Sequence, residues 1–267
     1  NITAGNLKFV PAANANGAPY ASFTFQVEDD GGGANLDLSA NTMTINVTAV
    51  NDPPAGTDNT VATPEDTAYT FAAVDFGFTD PNDAPANALN RVEITTLPLA
   101  GSLELSGVPV AATDFITVAN ITAGNLKFVP AANANGAGYA SFTFQVEDSG
   151  GTDNGGANLD PSANTMTLDV TSVNDAPSFT IAGDQTVLED AGAQTVVGWA
   201  TAISAGPPDE AGQALAFYVT SNTNPYMFEA GPAVSPEGTL TYTPVPNANG
   251  DAILTVELRD NGGIANG

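Results

Sequence analysis

Apolar and polar residues alternate along most of this chain in short runs rich in Val, Ile, Phe, Tyr and Thr. Gly, Pro, Asn and Asp break these runs about every ten residues. A period of two sends one face of each run into a core and the other to water, the pattern of a half-buried strand. Between residues 53 and 175 the pattern predicts seven strands. They are A (59–63), B (68–74), C (91–97), D (102–105), E (125–129), F (140–147) and G (164–173). A helix of normal length has no room between the turn signals, and Pro-rich connections such as Asp80-Pro81-Asn82-Asp83-Ala84-Pro85 would interrupt one. The expected unit is an all-β sandwich.

The pattern recurs at the length of a domain. Residues 1–29 return as residues 120–148, with Pro19 against Gly138 as the only difference. A period of about 120 residues exceeds the 20–50 of a solenoid unit and suits one complete domain. A second marker, Val50-Asn51-Asp52-Pro53-Pro54, returns as Val173-Asn174-Asp175-Ala176-Pro177 and falls between repeats. It sets the expected edges: strands E to G of one domain in residues 1–52, a complete domain in 53–175, and a divergent third in 176–267 without its last strand. The third copy keeps Leu188-Glu189-Asp190 for Pro64-Glu65-Asp66 and Pro246-Asn247-Ala248-Asn249-Gly250 for the earlier Asn-Ala-Asn-Gly segments. It also keeps Asp260-Asn261-Gly262-Gly263 for Asp148-Ser149-Gly150-Gly151. The parent protein is expected to continue beyond both ends.

Charge changes this picture. Lys8, Arg91, Lys127 and Arg259 stand against thirty acids, a net charge of −26, which would repel nucleic acid and anionic membranes. With 42% hydrophobic residues the chain can nevertheless bury cores. There is no cysteine to staple the domains, and no apolar run approaches the roughly 18 residues of a membrane span. The segment is expected to be soluble, without membrane insertion.

The acids are not scattered evenly. With strands running alternately down and up, Pro64-Glu65-Asp66 (A–B) and Asn174-Asp175 (after G) fall at one pole. Asp80-Pro81-Asn82-Asp83 (B–C) and Glu147-Asp148 (F–G) fall at the other. Stacked domains would bring both sets to each junction. Two carboxylates about 4 Å apart repel by roughly 1 kcal/mol in water and by several times that in a partly enclosed site. Four cationic residues cannot neutralise such a cluster, since Lys8 and Lys127 lie at equivalent strand E positions and Arg91 in strand C, leaving only Arg259 beside an acidic turn. Calcium, which accepts six to eight oxygens in flexible geometry, suits it better than magnesium. Zinc would lack the His and Cys ligands it usually takes. The competing reading is that these are ordinary solvated turn acids, since Asp and Asn favour turns for their own backbone hydrogen bonds.

Four motifs in register carry a family resemblance. Pro64-Glu65, Thr79-Asp80-Pro81-Asn82-Asp83 followed by Asn87, Val146-Glu147-Asp148 with Gly150, and Val173-Asn174-Asp175-Ala176-Pro177 resemble, in order and position, the calcium motifs of cadherin repeats. The whole chain is similar to the cadherin-like tandem repeats of large bacterial surface and adhesin proteins. The resemblance implies tandem seven-stranded immunoglobulin/cadherin-like β-sandwiches arranged end to end, in an extracellular or cell-surface rod stiffened by calcium. Tyr139, and Tyr20 in the earlier copy, open strand F where such sandwiches often carry a tyrosine corner. Carried over position by position, the resemblance implies a first joint from Asn51 and Asp52 with Asp80, Asp83 and Asp148. A second would use Glu65, Asp66, Asn174 and Asp175 with Asp209 and Asp260. The third copy departs from the pattern, with Asp209-Glu210 and Gln213 in place of the Asp-Pro-Asn-Asp segment.

Other functions are less well served. Without His or Cys an enzyme would need a carboxylate pair or a metal, and acids that recur from domain to domain lack the singularity of a catalytic pair. Residues 148–156 faintly resemble a glycine-rich calcium nonapeptide, but a β-roll needs several consecutive copies, so a flexible F–G loop is expected. Trp199 lies in an apolar run (196–202) read as strand B of the third copy, which favours core packing over a sugar platform. The function expected is a structural repeat segment whose partners are calcium ions, neighbouring repeats of the same chain and other copies in a filament. The alternative is an adhesive module that binds carbohydrate or a protein on another surface.

Overall fold

The computed structural model describes residues 2–263, so Asn1 of the 1–52 segment and residues 264–267 of the third repeat lie outside the described residues. The chain divides into two compact units, Asn1–Val170 and Thr171–Gly267. Among the described residues no helix is long and apolar enough to cross a membrane.

The first unit opens with a two-stranded antiparallel sheet, β1 (Gly17–Phe25) and β2 (Asn41–Val47). A complete sandwich follows. Its strands are β3 (Asn59–Pro64), β4 (Tyr69–Thr70), β5 (Leu89–Ile94), β6 (Ser102–Leu105), β7 (Val108–Pro109), β8 (Phe115–Thr117), β9 (Leu126–Val129), β10 (Gly136–Asp148) and β11 (Asn164–Thr171). They form a five-stranded sheet in the order β3-β11-β10-β5-β8 and a four-stranded sheet in the order β4-β9-β6-β7. Strands A, C, D, E, F and G of the sequence pattern appear as β3, β5, β6, β9, β10 and β11. Strand B is cut to two residues because Asp75 accepts hydrogen bonds from the Ala72 amide (2.8 Å) and the Tyr69 hydroxyl (3.1 Å) and turns the chain into a short 3-10 segment, Ala73–Phe76. The sole α-helix among the described residues, α1 (Val118–Thr122), is one turn long and is capped by the Thr117 hydroxyl.

β10 shows how the sequence sets the core. Ala140, Phe142, Phe144 and Val146 alternate inward and are buried, while Ser141, Thr143 and Gln145 face out. Phe144 packs edge to face on Phe76 (centroids 5.0 Å) and Phe142 on Phe71 (5.6 Å), each pair adding about 0.5–1.5 kcal/mol beyond its buried area. The near-identical β1 has the same register, Phe23 opposite Met43 as Phe142 is opposite Met166, without a facing sheet. Phe25 is accordingly 37% exposed where Phe144 is 0% exposed. Both copies form the expected tyrosine corner: Tyr20 accepts from the Ala12 amide (3.2 Å) and Tyr139 from the Ala131 amide (3.3 Å).

The second unit contains β12 (Ser178–Ile181), β13 (Gln194–Val196), β14 (Ala200–Ser204), β15 (Ala216–Asn222), β16 (Phe228–Val234), β17 (Leu240–Pro244) and β18 (Leu254–Arg259). They pair as β13-β17-β16, β15-β18 and β12-β14. Its core gathers Trp199, Ala200, Leu240 and Tyr242, with Phe179 edge to face on Phe217 at 5.0 Å. The apolar run around Trp199 is not one strand. Gly198 at φ +70° turns the chain between β13 and β14, and Trp199 packs inward with its indole N–H donated to the Gly183 carbonyl (3.3 Å).

Candidate functional site

The Asn-Asp marker is anchored into the loops of the sandwich that follows it. In the first unit the Asn51 side-chain amide donates to both oxygens of Asp148 (3.1 and 3.2 Å) and to the Ala157 carbonyl (2.6 Å). Its oxygen accepts from the Asn87 side chain (2.6 Å), and its backbone carbonyl accepts from the Ala157 amide (3.0 Å). The Asp52 amide donates to Asp83 (3.1 Å), and the Gly150 amide to Asp148 (2.7 Å). Strand β10 delivers Asp148 here, and the loop after the 3-10 segment delivers Asp80, Asp83 and Asn87.

Asp80 is the unsatisfied member. It is buried, one carboxylate oxygen accepts from the Asn87 amide, and the other, Oδ1, is sealed from water with no hydrogen-bond partner among the described residues. Asp148 is buried beside it. Burial, reinforced by the charges of Asp80 and Asp83, holds the Asp148 carboxyl above the usual aspartate range, against the opposing pull of the Gly150 amide and Asn51. The five residues expected at the first joint are thus gathered, with Asn51 turned as a donor toward Asp148. Among the described residues no group of three or more acids is set to hold a metal ion, and N–H donors occupy oxygens of Asp83 and Asp148.

The second unit repeats the arrangement with altered parts. Asn174 donates to Asp260 (3.2 Å) and accepts from the Gln213 side chain (2.8 Å). The Asp175 amide donates to Glu210 (2.8 Å), and the Gly262 amide to Asp260 (2.9 Å). Glu210 is buried with Oε2 unpartnered among the described residues, as is the Gln213 Oε1. Asp209 accepts from the Ser172 hydroxyl (3.2 Å).

Glu65 and Asp66 belong to the first unit, at the opposite loops. Glu65 is buried and accepts from the Asn135 side chain (3.0 Å), and Asp66 accepts from the Asn133 amide (2.9 Å). Asp190 makes the equivalent bond to the Asn247 amide (2.8 Å) in the second unit. In the 1–52 segment the matching Asn14 and Asn16 line a cleft of about 220 Å³ together with Val50, Asp52, Asn82 and Asp83. Its walls are rich in oxygen acceptors.

Residues 51–160 match the family model for the bacterial Ig domain. This part of the chain is similar to that family and has an immunoglobulin-like sandwich fold. Among curated proteins nothing matches the chain. The human desmocollin-1 ectodomain is similar at 10% identity over 86% of this chain and 38% of that one, TM-score 0.31. Drosophila N-cadherin EC1-4 matches at 13% identity over 91% of this chain and 55% of that one, TM-score 0.28. The CsuC-CsuE chaperone–tip adhesion subunit complex of Acinetobacter baumannii pili matches at 10% identity, 79% and 98% coverage and TM-score 0.31. The chain spans 38% and 55% of the lengths of the two cadherin ectodomains. At these scores the likenesses carry no argument about arrangement.

In the Ig-like domain several groups escape sequence reasoning. Asp160, buried outside the motifs, accepts from the Gly56 amide (2.8 Å), the Ser162 amide (3.0 Å) and hydroxyl (3.1 Å), and Asn164 (2.8 Å). Its signal was an Asp-Pro-Ser turn just before β11. Glu147 is buried in an ion pair with Arg91 (2.8 Å), so that motif acid already has a cation. In the second unit Arg259 occupies the place of Glu147 and pairs with Glu257 (2.7 Å). Glu210 could have been noticed as the longer arm of Asp209-Glu210, able to reach where Asp83 reaches in the Ig-like domain.

Proposed function

We infer that this chain is a repeat segment of a long extracellular surface protein, in which calcium at the end of each sandwich neutralises the acids gathered around the incoming linker. The observation that carries this reading is the buried, unpartnered carboxylate oxygen in the corresponding loop of both units, Asp80 Oδ1 and Glu210 Oε2. Leaving such an oxygen without a donor costs about 1–3 kcal/mol, more where it bears charge. Neither loop has a free protein cation to meet it, since Arg91 and Arg259 are paired elsewhere. The donor set is all oxygen, which suits calcium. Asp80, with Asp52, Asp83 and Asp148, would hold an ion in the first unit. Glu210, with Asp175, Asp209 and Asp260, would hold one in the second. Carboxylates now accepting from backbone N–H groups would turn part of their lone pairs to the ion. Filling the site would remove the carboxylate repulsion and stabilise the seated linker.

Isothermal titration of the 267-residue chain with calcium tests this reading. Binding is expected with dissociation constants of about 10⁻⁴–10⁻³ M, the range of extracellular modules. Absence of calcium heat together with an unchanged unfolding curve would overturn it.

A further inference from the structure

We propose that Asn51 and Asn174 clamp each linker onto the sandwich that follows it without any cation, so that an ion would strengthen a seat these side chains have already made. The proposal goes beyond the calcium reading and does not rest on it.

Both polar ends of each amide are committed to protein. Asn51 gives its N–H groups to Asp148 and the Ala157 carbonyl and receives one from Asn87, while its backbone carbonyl is held by the Ala157 amide. Reversing the amide would set its oxygen against a carboxylate and a carbonyl and its nitrogen against another N–H donor. The orientation is therefore determined by its partners. In this orientation the amide presents the positive end of a dipole to Asp148, the part a cation would otherwise play.

The second unit tests which parts of the arrangement vary. There Gln213 replaces Asn87, and Glu210 replaces Asp83 as acceptor for the linker Asp amide. Four elements stay the same: the linker Asn, the linker Asp after it, the Asp at the end of the strand, and the Gly two residues later. The glycine has a steric reason to stay. A Cβ on Gly150 would overlap the Asn51 amide oxygen, and one on Gly262 would overlap the Asn174 amide oxygen. At Gly31, the same position in the first segment, a Cβ would meet only the Asp29 carboxylate. The demand for glycine at positions 150 and 262 comes from the seated Asn and the side chain bonded to it, Asn87 or Gln213.

Hydrogen exchange on the 267-residue chain in chelator tests the clamp. In the wild type the amides of Asp52 and Ala157, bonded to Asp83 and to the Asn51 carbonyl, are expected to be protected. In Asn51→Ala they should exchange at least about tenfold faster, while core amides of β10 keep their protection and show that the domain remains folded. Asn174→Ala should do the same to the Asp175 amide. If Asn51→Ala does not fold, Gly150→Ala attacks the clamp from the other side with Asn51 retained, and the same loss is expected. Linker amides unprotected in the chelated wild type, or unchanged in the variants, overturn the proposal. It is also overturned if protection appears only on adding calcium and Asn51→Ala weakens calcium binding about tenfold or more, because Asn51 is then a ligand. Protection that depends on Asn51 in a chain that takes up no calcium upholds the clamp and removes the calcium reading.

Discussion

Replacing Glu210 by Gln should make the second unit harder to unfold in chelator and remove much of what calcium adds. Glu210 is buried with Oε1 accepting from the Asp175 amide at 2.8 Å, while Oε2 has no donor among the described residues. Gln keeps the length and an acceptor for Asp175 and removes the charge. The Gln N–H2 group at the place of Oε2 is itself unpartnered, so the relief is that of the unpaired charge alone, about 1 kcal/mol. With a urea slope of about 1–3 kcal/mol/M for a small domain, the midpoint should rise by at most about 1 M. The chain supplies its own probe, because Trp199 is the sole tryptophan and is packed in the core of this unit. Its fluorescence reports the unfolding of Thr171–Gly267 separately from the first unit. Calcium at about a hundred times its dissociation constant should add about 2.7 kcal/mol to the wild type, and about 1.4 kcal/mol to a variant whose constant is tenfold weaker. A lower midpoint for Glu210→Gln in chelator would mean that the carboxylate stabilises the unit without an ion. Equal calcium gains in both proteins would mean that Glu210 is not a ligand. Either result refutes the reasoning.

Phe144→Ala should cost about 3–5 kcal/mol, whereas Phe25→Ala, in the same local sequence but with no facing sheet, should cost less than about 1 kcal/mol; urea denaturation followed by circular dichroism compares them. Asp160→Ala strips four hydrogen bonds of their buried acceptor and should cost about 2–4 kcal/mol, measured the same way. Gly262→Ala should destabilise the second unit by about 1–3 kcal/mol through overlap with Asn174, seen as an earlier Trp199 fluorescence transition; an unchanged midpoint would show that the loop yields without cost.

Period-two alternation placed strands A and C to G of the sandwich, because a strand's burial pattern is local and β10 carries its alternation in its own residues, but it missed the short β7 and β8. What interrupts a strand is less visible. Asp75 folding back on the Ala72 amide shortens strand B, and Gly198 divides the run around Trp199, both through single residues that the apolar pattern does not register. Burial itself is least local of all. Phe25 and Phe144 share their neighbours in sequence, and only the sheet that faces one of them separates their environments.

The candidate site divides along the same line. Motif order located the loops that would meet the linker, but residue type alone cannot say whether an Asn amide turns its oxygen or its nitrogen to a carboxylate. In both units it is the nitrogen. The acids around it vary: Asp80 and Asp83 in one unit, Asp209 and Glu210 in the other, with Glu147 exchanged for Arg259. The Asn, the Asp and the Gly do not. If ion binding alone dictated this geometry, the extra carboxylates should be its fixed part, since charge and ligand count set calcium affinity. The clamp keeps its donor geometry while the two loop acids change in kind and spacing, which argues that the amide fixes where the linker sits and leaves those loop acids free to tune how strongly an ion reinforces that seat.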